Sequence, residues 1–121
     1  MKLGLISAIL GDLSFEEMID FLAECGLECV EVACWPKGKA ERRYAGVSHI
    51  DVDTLDDEKC AHILDYCQKK GVEISSLAYY PNTMDPDVEK RTAYIEHLHK
   101  LIDASAKLGV NMITTFIGRD P

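Results

Sequence analysis

The chain has 121 residues, of which 47% are hydrophobic and 28% charged, and a formal net charge of −8. That length accommodates one domain with a modest core, and the composition suggests neither extended disorder nor a membrane span. An acidic balance also opposes broad attraction to nucleic-acid backbones or anionic lipid, since both need a basic face.

Met1-Lys2-Leu3-Gly4-Leu5-Ile6 is too short an apolar start for a signal peptide and no cleavage pattern follows, so the expected compartment is the cytoplasm. Lys2 to Ser7 reads as an opening strand. A helix follows, with Phe15, Met18, Ile19 and Leu22 at helical spacing, a capping-box pattern at Ser14 and Glu17, and Gly26 beyond its end. The second strand runs through Gly26-Leu27-Glu28-Cys29-Val30-Glu31-Val32, and a long insertion, Pro36 to Val52, leaves its carboxyl end. The insertion carries Lys37, Lys39, Arg42 and Arg43, a local basic cluster suited to an anionic substrate group or to solvent. It also carries His49, the one histidine outside a predicted helix.

Asp53 or Thr54 is placed to cap the second helix, whose apolar side is Cys60, Ile63, Leu64 and Cys67 and whose end is Gly71. The third strand, from Gly71 through Leu77, continues into Tyr79-Tyr80-Pro81-Asn82. Asp85 followed by Pro86 predicts the start of a third helix, with Ile95, Leu98, Leu101, Ile102, Ser105 and Leu108 on its apolar side and Gly109 at its end. The fourth strand then runs from Gly109 through Thr115, and Arg119 and Asp120 follow it.

Strands alternating with helices of this length predict an α/β fold with a parallel sheet and right-handed crossovers. Counting from the three glycines sorts the strand residues into two faces with period two. Val30, Val32, Cys34, Ser75, Leu77, Tyr79, Ile113, Thr115 and Ile117 are expected to face the helices. The opposite face places Glu31, Ser76 and Thr114 at one common level. Such a polar tier suits the lumen of a barrel below an active site better than a dry core, where unpaired polar groups are costly.

In a barrel the binding residues lie at the carboxyl ends of strands and on the loops after them. Trp35 and Tyr80 share the last inward position of neighbouring repeats and could form an apolar wall against a ligand. His49 has a pKa range suited to proton relay. Asn82 can hydrogen-bond hydroxyls, Arg119 can bind a carboxylate or phosphate, and Glu31 is an inner carboxylate. Each also has a structural alternative: core plug, surface imidazole, turn residue, frayed terminus or tier filling. His97 and His99, two apart on a helix, make a poor metal pair, and His62 is an ordinary helix residue. Cys25, Cys29, Cys34, Cys60 and Cys67 lack zinc-site spacing and read as reduced thiols. No P-loop, dinucleotide fingerprint or nucleophile elbow is present.

The ordered set KLGLIS, ECVEVACWP, SSLAYYPN and ITTFIGRDP resembles the amino-terminal half of sugar phosphate isomerases/epimerases of the xylose isomerase-like TIM-barrel superfamily. The resemblance covers essentially the whole chain, residues 1–121, as one partial domain holding strands one to four. It implies a role in carbohydrate metabolism, acting on a small sugar, polyol or sugar phosphate, with a divalent metal (Mn, Mg, Co or Zn) in the full-length enzymes. The family's metal ligands come from strands five to eight, so none is assigned to this chain and independent catalysis is left open. The expectation is either a piece of a longer enzyme or a natural half barrel. The rival reading is a non-catalytic half barrel that dimerises through its sheet edges or docks on a partner. Kinship with barrel-fold abasic-site endonucleases is disfavoured by the acidic balance, and no nucleic-acid or membrane partner is expected.

Overall fold

A computed structural model of the chain describes residues 1–38 and 43–120. Four parallel strands, β1 (Gly4–Ile6), β2 (Cys29–Ala33), β3 (Glu73–Tyr79) and β4 (Ile113–Thr115), lie side by side in sequence order. Between them run α1 (Phe15–Glu24), α2 (Asp57–Lys70) and α3 (Val88–Leu108). Parallel neighbours cannot be joined by a tight turn, so each connection is a helical crossover. The alternating parallel architecture is that of a half TIM barrel, as expected.

One core joins the three helices to the sheet. Met18, Ile19 and Leu22 of α1, Ile63 of α2 and Leu101 and Leu108 of α3 meet Val30, Val32, Leu77 and Tyr79. Removing most of a buried side chain such as Ile19 would cost about 2–5 kcal/mol. A polar seam covers the outer α1–α2 junction, where Asp20 accepts from Tyr66 and from Lys70, each at 2.8 Å.

The first helix starts as its sequence predicts: Glu17 N–H donates to Ser14 Oγ, and the Glu17 carboxylate accepts the Ser14 N–H at 2.8 Å. Gly26, Gly71 and Gly109, at φ 71°, 71° and 67°, end the three helices in the left-handed region, where only glycine avoids a Cβ penalty.

The other two starts differ from expectation. The cap of α2 is Asp56, which accepts the Lys59 N–H at 2.8 Å; Asp53 instead pairs with Lys100 at 2.6 Å. The cap of α3 is Asp87, whose carboxylate takes the N–H groups of both Glu89 and Lys90, leaving Pro86 outside the helix. Several aspartates compete near each start, and the one that satisfies orphan amides sets the first turn.

The apolar faces also shift. Leu64, Ile95 and Ile102 are exposed, while α3 turns His97, Leu101, Ala104 and Leu108 inward. A register shift between Val30 and Glu31 sets Val30 beside Ile74 but Glu31 beside Ser76. Ser75 is the extra residue of this bulge and is exposed, so it does not face the helices. Thr114 lies beside Ala78, not Ser76, because barrel strands are staggered. Thr115 and Ile117 are exposed as well, since β4 is an edge strand and ends at Thr115. β1 is shorter than predicted because Ser7 leaves the strand for a 3-10 turn, Ser7–Leu10, and its hydroxyl accepts the Ala33 N–H at 2.8 Å.

Asp87→Ala is expected to lower the unfolding free energy by about 1 kcal/mol, whereas Pro86→Ala changes it by less than about 0.5 kcal/mol. Urea titration of the two variants, followed by circular dichroism, measures the difference.

Candidate functional site

The carboxyl ends of β2 and β3 bring three inward side chains together. Ser76 donates its hydroxyl to Glu31 Oε2 at 3.1 Å, and Tyr80 donates to Glu31 Oε1. The Thr114 hydroxyl lies 3.1 Å from the Tyr80 oxygen and 3.4 Å from the Leu77 carbonyl. With the Tyr80 proton committed to Glu31, the single Thr114 proton serves either the Tyr80 oxygen or the Leu77 carbonyl. The staggered polar tier is thus one connected network. Burial, and then the Glu31 carboxylate beside it, push the Tyr80 hydroxyl above its ordinary value, so it remains a donor at neutral pH.

Beyond Ala33 the chain continues into a hairpin. Cys34 and Ser48 form an antiparallel bridge, Trp35 N–H donates to Val47 O at 3.1 Å, and His49 N–H donates to Ala33 O at 2.9 Å. Of the basic cluster, Lys39 and Arg42 lie outside the described residues. Lys37 pairs with Asp51 at 3.3 Å, and the Arg43 guanidinium lies 5.0 Å from the Tyr44 ring centroid.

A cleft of about 420 Å³ opens between the hairpin, the loop after β3 and the first turns of α3. Trp35, Tyr79, Tyr80, Asn82, Lys90 and Tyr94 are among its walls. The Trp35 ring stands edge-on against Tyr79, with centroids 4.9 Å apart, and Tyr79 stands against His97 at 4.7 Å. His97 in turn donates from Nε2 to Cys34 O at 2.8 Å. This aromatic ladder anchors the cleft in the core. It makes the buried His97 a brace of β2, a role its helical position in the sequence did not signal.

Asn82 lines the cleft but commits its amide to backbone: Oδ1 accepts Arg119 N–H at 2.8 Å and Nδ2 donates to Arg119 O at 3.1 Å. Gly118 makes that approach possible. Its φ is 109°, and a Cβ there would lie 2.6 Å from Asn82 Oδ1. The Arg119 backbone is therefore fixed, while its residue as a whole is exposed and does not line the cleft.

His49 also lies outside the cleft lining. Its Nδ1 is 2.9 Å from Ser7 Oγ and its Nε2 3.2 Å from Leu10 O, so Nε2–H donates to the carbonyl and Nδ1 accepts from Ser7. The sequence-predicted residues thus divide in three: Trp35, Tyr80 and Asn82 share the cleft, Glu31 stands behind Tyr80, and His49 and Arg119 lie outside its lining.

Tyr79 and Lys90 were missed by sequence reasoning. The former was assigned to the helix-facing side; its being tyrosine rather than phenylalanine was the available signal, because a phenol in a core needs somewhere for its hydroxyl.

Among the described residues no group of three or more His, Cys, Asp or Glu is arranged to hold a metal ion. Glu31 is the one carboxylate of the tier, and both its oxygens are occupied by hydroxyls, so the described residues do not fit the metal that the resemblance implies. All five cysteines are free, and burial pushes the Cys34 and Cys67 thiols up to about 12 and about 11.

A family model described as Xylose isomerase-like TIM barrel matches residues 19–121. No curated protein gives a significant match. Among solved structures, a D-psicose 3-epimerase crystallised in the presence of D-fructose is 20% identical with TM-score 0.66, over 95% of this chain and 37% of its own. D-psicose 3-epimerase with D-tagatose from Clostridium cellulolyticum H10 is 18% identical with TM-score 0.67, over the same shares. The probable 3-DHS dehydratase AsbF of Bacillus anthracis, involved in petrobactin synthesis, is 23% identical with TM-score 0.66, over 99% of this chain and 39% of its own. The chain therefore spans less than half the length of these structures, and at such identities the likeness is one of fold.

Burial holds the His49 imidazole below its ordinary 6.5, against hydrogen bonds to backbone that raise it. The folded state thus favours neutral His49: its contribution is full above pH 6.5 and is lost as pH falls through that value toward the lower folded pKa. The urea midpoint of the wild type is expected to fall more between about pH 7.5 and about pH 5.5 than that of His49→Gln.

Proposed function

The chain belongs to the xylose isomerase-like TIM-barrel family, and from that membership we propose that it is the amino-terminal half of a divalent-metal-dependent sugar or sugar phosphate isomerase or epimerase. Its share of the work is to bind and orient substrate at the barrel mouth. The observation that carries this reading is the cleft at the ends of β2 and β3, where an aromatic wall meets the Glu31–Tyr80 hydrogen bond. Pyranose and ketose carbons pack well on an indole face, while their hydroxyls need both acceptors and donors. Trp35 supplies the first, and Tyr80, whose hydroxyl is oriented from behind by Glu31 and Thr114, supplies the polar contact of the second. Asn82 and Arg119 shape the rim, and His49 secures the base of the hairpin.

No metal-dependent step is assigned to these residues, since none of the described ones forms a ligand set. The ligand is a small polyhydroxy molecule rather than nucleic acid, in keeping with the net charge of −8. No described helix is long and apolar enough to cross a membrane, and the cytoplasm remains the proposed compartment.

Trp35 is the single tryptophan, so its emission reports on the cleft alone. Titration with D-fructose, D-tagatose and sorbitol is expected to give a saturable change, weakened about three- to tenfold by Tyr80→Phe. Emission that stays linear with every polyol would sink the sugar reading.

A second reading, a docking half barrel, is favoured by one feature: both edge strands carry exposed apolar residues. Leu3 and Ile6 flank one edge at 68% and 46% exposure, and Met112 and Ile117 the other at 56% and 82%. Unpaired parallel edges of this kind invite another strand. On this reading sedimentation shows concentration-dependent dimers that Ile117→Lys disperses; a monomer at all concentrations removes it.

A further inference from the structure

The cleft is lined by a buried phenol, Tyr79 at 1% exposure, whose hydroxyl pairs with none of the described residues. No described polar side-chain atom is both sealed from solvent and unpartnered. Tyr79 thus lines the cleft with an otherwise buried ring that is fixed between Trp35 and His97, and its hydroxyl is unpaired among the described residues. A buried phenol lining a cavity of ligand size is a prepared hydrogen-bond position.

Its surroundings decide what it would meet. Among the described residues, Lys37 and Lys90 line the same cleft against one carboxylate, Asp85. Asp85 Oδ1 accepts the Asp87 N–H at 2.9 Å, which directs that oxygen to the start of α3. The Lys37 pair with Asp51 is largely exposed on the lysine side, at 70%, and such pairs exchange partners at little cost. Lys90 forms no ion pair with a described residue. The α3 N-terminus itself is filled by Asp87, so an incoming anion would be held by side chains and not by the helix end. Burial, with a smaller contribution from Tyr94, pushes the Tyr79 hydroxyl up to about 12, which keeps it a donor.

We infer that the cleft takes the anionic end, phosphate or carboxylate, of a small polyol, with the Tyr79 hydroxyl and the Lys37 and Lys90 ammonium groups as donors and Trp35 against the carbon chain. This rests on the sugar reading above and narrows it to acidic or phosphorylated sugars. Charge-assisted bonds are roughly twice as strong as neutral ones, and they weaken with salt when the ions are exposed.

The test is a set of Trp35 emission titrations with D-fructose, D-fructose 6-phosphate, D-gluconate and inorganic phosphate, each at low and high ionic strength. Fructose 6-phosphate or gluconate is expected to bind at least about tenfold more tightly than fructose, with an advantage that shrinks in salt. Tyr79→Phe and Lys90→Gln should each narrow that advantage several-fold; circular dichroism confirms that both variants fold, and Lys90 is exposed enough to change without repacking. Equal affinity for fructose and its phosphate overturns the inference and leaves the sugar reading intact. Binding of inorganic phosphate alone, with no sugar or sugar phosphate held, supports the anion donors and overturns the sugar reading. No saturable signal with any of the four overturns both.

Discussion

Parallel strand pairing is the constraint from which the rest follows. Strands that run the same way must be joined by a crossover, and here each crossover is a helix laid on one face of the sheet. That face becomes the dry core, holding Val30, Val32, Leu77 and Tyr79. The other face is released from core duty, which is why Glu31, Ser76 and Thr114 can sit there without an apolar lining over them. The same rule collects the strand ends at one rim, so the hairpin after β2 and the loop after β3 necessarily meet.

Tyr79 shows how the two faces are coupled at that rim. Its ring belongs to the helix side and touches His97, while its neighbour Tyr80 turns inward to Glu31. Consecutive residues of one strand thus brace the cleft from behind and complete the polar network beside it. The bulge at Ser75 is what brings Ser76 level with Glu31 while keeping Ile74 and Leu77 both toward the helices. Without the extra residue one of those two requirements would fail, since side chains alternate strictly along a regular strand.

Local signals were the legible ones. A capping box, a left-handed glycine and an apolar stripe each depend on a few neighbouring residues, and Ser14 with Glu17, Gly71 and the α1 stripe all read correctly. The starts of α2 and α3 were misplaced because Asp53, Asp56, Asp85 and Asp87 are chemically equivalent caps, and only the folded geometry selects among them. Pairing was less legible still. Glycine counting assumed flush strands, whereas stagger moved Thr114 opposite Ala78, and the bulge removed Ser75 from the helix face. At the site, the aromatic candidates Trp35 and Tyr80 were visible because they end strands. That Asn82 is occupied by the Arg119 backbone, and that His49 is held by Ser7 and Leu10, depends on contacts across 37 to 42 residues. No local pattern encodes those.

The spatial order of the strands, the same as their order along the chain, bears on how the fold is reached. Every strand pairs with one made one crossover earlier, so no pairing waits for a distant segment. Loop-closure entropy is then met in small instalments, and topologies rich in near-neighbour contacts form quickly. As the polypeptide leaves the ribosome amino terminus first, β1 and α1 can receive β2, and that pair can then template β3 and β4 in turn.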